Sequence, residues 1–253
     1  MRIIQSFGGD PIYNIALEEV LSDLSIELKD EIIRLWIEDK TLVIGYGQRV
    51  EDEIDIEEAY RHGIPIVRRQ SGGGTVYHDL GNINISLYLP IRILDVSKIY
   101  EIGSRYILST LRRMSLEPYI ENRNDIVVDG YKVSGSSIWI RRKATVYHAT
   151  LLVDADIDLM MKLLKPPIHL VREGRVKPSK YRPTNLKHFI DIDVGEALKI
   201  LRVTVAELAG KTLPIRLDGV LYRRLEEKVE KYLDSKWNIN DGYKGSPPYN
   251  LLQ

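Results

Sequence analysis

Cysteine is absent from the 253 residues, which excludes disulfides, thiolate metal sites and any cysteine nucleophile. Net charge is absent as well: 36 lysines and arginines balance 36 aspartates and glutamates. No global field then draws the chain to nucleic acid or an anionic membrane, and attraction to an anion must be local. No stretch approaches the ~18 uncharged apolar residues of a membrane span, and the N-terminus lacks the apolar core of a secretory leader. The expectation is a cytoplasmic protein with neither nucleic acid nor membrane as partner. Gly-x-Ser-x-Gly is missing, so a hydrolase elbow has no support. His-x-x-x-His, His-Glu-x-x-His and acidic clusters at metal spacing are missing too, so no metal held by protein alone is expected.

What is present is concentrated in "RRQSGGGTVYHDLGN", residues 68–82. Three consecutive glycines lose more conformational entropy on folding than other tripeptides, so they belong where backbone turns with positive φ or touches a ligand. The stretch reads as a binding loop. A strand, "IPIVRR", leads into it, and the alternation of Ile83, Ile85, Leu87 and Leu89 predicts a half-buried strand after it. A P-loop or a dinucleotide fingerprint needs a helix after the glycines and, for the former, a Gly-Lys-Ser/Thr. Neither follows, so any phosphate here is held another way.

Elsewhere, Asp10-Pro11 reads as an N-cap and first helical position, followed by a stripe of Tyr13, Leu17, Val20, Leu21 and Leu24. "EIIRLWI" and "TLVIGYG" read as two strands of a hairpin about Glu38-Asp39-Lys40. "DIEEAYRHG" predicts a short helix stopped by Gly63, and further helices are expected over 97–114, in "DIDLMMKLL", ended by Pro166-Pro167, over 195–208 and over 219–233. "DIVVDGYKVSGSSIWI" predicts two strands about Asp129-Gly130, and "ATVYHATLLV" one more. The basic stretch at 172–183 has no periodicity and reads as a loop, and the tail from 241 is rich in turn residues. The sum is an α+β fold of mixed, largely antiparallel sheets flanked by helices, in one domain over 1–253.

Lys132 is the best candidate for chemistry. Its neighbours Ser134, Gly135, Ser136 and Ser137 are small enough for a ligand to lie close, and a flexible point charge suits the meeting of a carboxylate and a phosphate. By itself, His78 or His148 reads as a buried structural histidine, and Asp79 as a brace of the glycine loop.

Together these segments resemble the lipoate-protein ligase A family, within the group that includes octanoyltransferases and biotin-protein ligases. The resemblance is carried by residues 68–82, by "NDIVVDGYKVSGSS" (124–137), by "YHATLLV" (147–153) and by "RPTNL" (182–186), with weaker echoes at "NIALEEVL", "VIGYGQ" and "KWN". It implies the catalytic-domain fold of the biotin/lipoate protein ligases and a two-step reaction. Lipoate attacks the α-phosphate of ATP, and a lysine of an acceptor domain then takes the lipoyl group from lipoyl-AMP. Carried over by position, Lys132 is the essential lysine. Arg69, Ser71, Gly73, Gly74, Thr75, His78 and Asn82 bind the acyl-adenylate with Asn124, Asp125, Gly135, Ser136, His148 and Thr150, and the basic 172–183 loop covers it. ATP brings Mg²⁺, to be held near Asp125. The implied acceptors are the lipoyl domains of 2-oxoacid dehydrogenase acyltransferases and the glycine-cleavage H protein.

The chain departs from the family pattern in three ways. Tyr147-His148-Ala149-Thr150 stands where His-His-Gly-Thr is common, and Thr75 where alanine is usual. The extra C-terminal domain of full-length ligases has no counterpart after Trp237-Asn238, and some members supply it as a separate small subunit. The competing readings are a cysteine-independent octanoyl or lipoyl transferase and a non-catalytic lipoyl-binding homologue. Biotin ligation is disfavoured, because residues 68–75 do not spell that group's arginine-rich glycine motif.

Overall fold

Helix starts follow their capping chemistry. The first helix, α1 (Pro11–Leu28), begins where Asp10 Oδ1 accepts from the Ile12 amide at 2.7 Å with Pro11 in the first turn. Asp95, Asp193 and Asp218 cap α4 (Val96–Arg113), α6 (Val194–Ala209) and α7 (Gly219–Leu233) in the same way. Short helices α2 (Val50–Glu53), α3 (Ile56–Arg61), α5 (Ile157–Leu163) and α8 (Ser235–Asn238) fill the connections. These come from a computed structural model that describes residues 1–166 and 181–239.

Two sheets carry the rest. Among the described residues the larger has eight strands, in the order β11 (Leu213–Pro214), β1 (Arg2–Phe7), β2 (Ile32–Ile37), β6 (Asn82–Leu89), β10 (Thr145–Leu152), β9 (Tyr131–Ile140), β8 (Asp125–Val128), β7 (Tyr119–Glu121). Pairing is antiparallel from β2 to β7 and parallel where β1 meets β2 and β11. The smaller sheet sets β3 (Thr41–Ile44) between β4 (Ile66–Arg68) and β5 (Val76–His78). One face of the large sheet packs Ile33, Ile85, Leu87, Tyr147 and Leu151 against Ile99, Tyr106 and Leu111 of α4 and Leu201 of α6. The other face, with Trp36, Tyr88 and Val146, is covered by α1, α7 and Val43 and Val67 of the small sheet. A sheet covered on both faces buries its central strand throughout, which is why β6 is wholly buried rather than half-buried.

Four expectations need correction. The segments at 31–37 and 41–47 are both strands, but β2 belongs to the large sheet and β3 to the small one, so they form no hairpin. The glycines lie between β4 and the three-residue β5, whose brevity hides it from any periodicity. Tyr13 is exposed, so the buried stripe of α1 keeps Leu17, Val20 and Leu21 but takes in Ile12, Ile15 and Ala16 in place of Tyr13. Pro166-Pro167 straddles the edge of the described residues. Helix α5 ends three residues earlier, at Leu163. Nearly all of the basic 172–183 loop, and the tail from 241, lie outside the described residues.

Candidate active site

A cavity of about 270 Å³ opens on the α1 face of the large sheet, under the glycine loop. Its floor is set by register. Trp36, Asn84, Thr150, Gly135 and Asp125 lie directly opposite one another on β2, β6, β10, β9 and β8. Facing residues of adjacent strands point to the same side, at ~4.8 Å per strand, so this row spans about 19 Å. It runs from an indole at one end to a carboxylate at the other. A parallel row holds Arg34, Ser86, His148 and Ser137.

Arg69 builds the loop above this floor. Its guanidinium is buried and donates to Gly72 O at 2.7 Å, Gly74 O at 2.8 Å and Val43 O at 2.8 Å, tying two carbonyls of the glycine loop to β3. Burial pulls its pKa down to about 10 and Glu53 and Glu18 oppose that, so it stays charged at neutral pH. Of the three glycines only Gly73 has positive φ, at 90°. A Cβ on Gly45, in the "VIGYGQ" echo, would sit 1.9 Å from Gly73 O, so the loop rests directly on that backbone. Arg68 ties the same region to α8, donating to Gly45 O at 3.0 Å, Trp237 O at 2.8 Å and Asn238 O at 3.0 Å. That clamp accounts for the "KWN" echo.

Behind the loop runs a chain of hydrogen bonds. Glu18 Oε2 lies 2.8 Å from His148 Nδ1, His148 Nε2 lies 2.6 Å from Ser71 Oγ, and Ser71 Oγ accepts from Arg69 Nε at 2.8 Å. With His148 protonated on Nδ1, each contact has one donor and one acceptor. Glu18 also accepts from Ser86 Oγ at 2.5 Å and Tyr88 OH at 2.7 Å. Burial alone would raise its pKa, but the His148 bond and the charges of His148 and Arg34 hold it down to about 2. A second chain crosses the far end of the floor. Glu38 Oε1 lies 2.6 Å from His78 Nδ1, His78 Nε2 lies 3.1 Å from Thr150 Oγ1, and Thr150 donates to Asn84 Oδ1 at 2.8 Å.

The wall at the carboxylate end is different. Lys132 Nζ stands 2.6 Å from Asp125 Oδ1 and remains about a quarter exposed, its stem over Gly135, where a Cβ would crowd Nζ at 3.3 Å. The backbone of Lys132 is fixed by the "RPTNL" segment: its N–H donates to Arg182 O and its carbonyl accepts from Thr184 N, both at 2.9 Å. Asn185 pins that segment in turn, exchanging bonds with Ala155 N and O at 2.9 and 2.8 Å. Backbone and side chain of Lys132 are thus held from opposite sides.

Of the residues singled out in the sequence, Arg69, Gly73, Gly74, Thr75, His78, Asn124, Asp125, Lys132, Gly135, Ser136, His148 and Thr150 all line the cavity. Ser71 and Asn82 do not. Ser71 is buried behind His148, and Asn82 lies one row beyond Asn84, donating to Tyr77 O at 2.9 Å. Asp79 braces two turns, accepting from Gly81 N and Asp156 N at 2.8 Å. Glu18, Trp36 and Asn84 line the cavity without having been singled out; only the "NIALEEVL" echo touched one of them. Tyr147 turns to the opposite face of β10, its ring where a Cβ on Gly103 of α4 would lie at 2.3 Å. The Tyr147 part of that departure from the family pattern therefore meets the core, whereas Ala149, its other part, is among the residues lining the cavity. The Thr75 amide donates to Glu53 Oε2 at 2.6 Å, a backbone contact open to threonine and alanine alike.

The arrangement offers a cation, a stretch of glycine backbone and an apolar end lined by Trp36, Ile15, Val43 and Val76. Among the described residues no cluster of three or more His, Asp or Glu could hold a metal ion, and no helix is long and apolar enough to cross a membrane. Residues 10–206 match the lipoyl protein ligase A/B catalytic domain. A putative lipoate-protein ligase A of Aeropyrum pernix is 42% identical over 211 residues, covering 83% of this chain and 80% of that protein. The bipartite lipoate protein ligase of Thermoplasma acidophilum, described with its E2 lipoyl domain, superposes with a TM-score of 0.82 at 25% identity over 96% of this chain and 98% of that one. A lipoate-protein ligase A bound with ATP gives 0.81 at 25% identity, over 94% and 98%.

Proposed function

The chain belongs to the lipoate-protein ligase family, and on that premise we propose that it is an ATP-dependent ligase that activates lipoate as lipoyl-AMP and transfers the lipoyl group to a lysine of an acceptor domain. The observation that carries this reading is the cavity floor, with Lys132 and Asp125 at one end and Trp36 at the other. Three strand spacings, about 14 Å, separate Gly135 from Trp36, room for a medium-length acyl chain laid along the row with its carboxylate at Lys132.

In the first step a lipoate carboxylate oxygen attacks the α-phosphorus of ATP, and pyrophosphate leaves. Negative charge gathers on the phosphoryl oxygens, and the Lys132 ammonium with the amides of Gly73 and Gly74 is suited to stabilise it. In the second step the acceptor ε-amine attacks the lipoyl carbonyl and AMP leaves, with Lys132 opposite the developing oxyanion. A magnesium ion arriving with ATP needs only one or two protein carboxylates besides the phosphates, and Asp125 is the carboxylate available beside Lys132.

The acceptors are proposed to be lipoyl domains of 2-oxoacid dehydrogenase acyltransferases and the glycine-cleavage H protein, with the reaction in the cytoplasm. Residues 1–253 are read as one catalytic domain working with a separate small subunit, a reading supported by the bipartite Thermoplasma relative. The test is mass spectrometry of a purified lipoyl domain incubated with the chain, lipoate and Mg-ATP. A lipoyl adduct dependent on both substrates is expected. If none forms even with an added small subunit, ligation is the wrong reading; an adduct from octanoyl carrier without ATP would point to the transferase.

A further inference from the structure

A second concavity of about 300 Å³ lies outside the cavity, on the α4 face at the sheet's β7 edge. Its lining includes Arg105, Arg112 and Arg123, with Tyr100, Ser104 and Ile120 between them and Glu101 as its one acid. Among the described residues no carboxylate pairs with any of the three arginines. Arg105 is instead braced by its own helix, donating to Tyr106 OH at 2.8 Å with its guanidinium 4.8 Å over that ring. Ser104 Oγ is buried and has no hydrogen-bond partner among the described residues. Arg123 sits at φ 72° after Asn122 at φ 52°, two left-handed non-glycine residues in succession that swing the guanidinium out at the tip of the β7–β8 turn. The next two residues, Asn124 and Asp125, line the cavity. The groove and the reaction centre are therefore one residue apart along the chain.

We propose that this groove docks an acidic surface segment of the acceptor domain, its carboxylates meeting Arg105, Arg112 and Arg123 while the target lysine enters the cavity. The proposal rests on the ligase reading above. Arginine and tyrosine around an exposed isoleucine are the side chains that dominate protein–protein contacts. A triphosphate is the poorer occupant, because α4 covers the sheet face opposite to the cavity, whereas ATP must lie with Lys132. In a chain of zero net charge, three cations at the sheet's β7 edge, without carboxylate partners among the described residues, supply local attraction without a global field.

The experiment uses the full chain with purified lipoyl-AMP and a lipoyl acceptor domain, beside lipoate-dependent pyrophosphate exchange, for wild type, Arg112→Glu and the Arg112→Glu/Arg123→Glu pair. Expected are a KM for the acceptor raised roughly tenfold or more in the pair, a weaker salt dependence of that KM, and near wild-type kcat at saturating acceptor. Exchange should be unchanged, since the variants touch neither lipoate nor ATP. An unaltered acceptor KM would overturn the proposal. So would an effect confined to the KM for ATP, which would make the groove a polyphosphate site. A wild type with neither exchange nor transfer even with the separate small subunit added overturns the ligase reading itself, and is distinguishable because it appears before any substitution is made.

Discussion

The two walls of the cavity differ in how tightly they are held. In the wall of Glu18, His148, Ser71 and Arg69 all but the half-buried His148 are buried, and the four are hydrogen-bonded from end to end. The facing wall offers Lys132 with a single carboxylate at 2.6 Å and solvent beyond. A saturated network costs much to move and little to keep, so it fixes the shape of the glycine loop. A lysine with one partner can exchange that partner for the charges of a substrate. The difference separates positioning from chemistry, and substitutions on the two walls should fail differently.

The largest effect is expected at the loose wall. Lys132→Ala should lower lipoate-dependent turnover by a hundredfold or more, about 3 kcal/mol of transition-state stabilisation, while leaving the urea midpoint near wild type. A comparable loss of stability would place Lys132 with the positioning wall instead. Next is the tight wall. Glu18→Gln removes a buried charge held at a pKa of about 2, and should cost about 3 kcal/mol of stability at pH 7. Because the folded pKa lies below the ordinary 4.5, that contribution is present above pH 4.5 and fades as the pH falls towards 2. Urea denaturation at pH 7 and pH 3 should therefore show the gap between wild type and variant narrowing in acid. An equal gap at both pH values would mean that Glu18 is not ionised in the folded state.

A smaller effect should come from the joint between loop and strand. Gly45→Ala puts a methyl against Gly73 O, and should cost about 2 kcal/mol, divided between stability and lipoate affinity. Calorimetric titration with lipoate would detect the second part. The smallest is at Tyr147, whose ring faces α4: Tyr147→Phe should change the lipoate KM less than twofold. A marked change would show that the α4 face communicates with the cavity.

Much of the loose wall was legible in the sequence because its parts are local. Lys132, Gly135 and Ser136 lie within five residues, and Asp125 is joined to them by a two-residue turn. The tight wall was only half legible. Arg69 and Ser71 stand in the glycine motif, but Glu18 reaches His148 across 130 residues, through a register that α1 shows only once it is packed on the sheet. Trp36 and Asn84 were missed for the same reason, since strand order is not written in any one segment. The motif ends at Asn82 and so points to that residue and not to Asn84, although both alternate to the same side of β6. The expected hairpin failed because Glu38-Asp39-Lys40 suits a tight turn, and nothing local says that the next strand leaves for another sheet.

The most direct test of the division between the walls is lipoate-dependent exchange of labelled pyrophosphate into ATP, measured with the separate small subunit present for wild type and Lys132→Ala at matched folded fractions. The account predicts exchange by the wild type and none above background by the folded variant. Near wild-type exchange by Lys132→Ala would contradict it, because the chemistry would then belong to the wall read here as scaffolding.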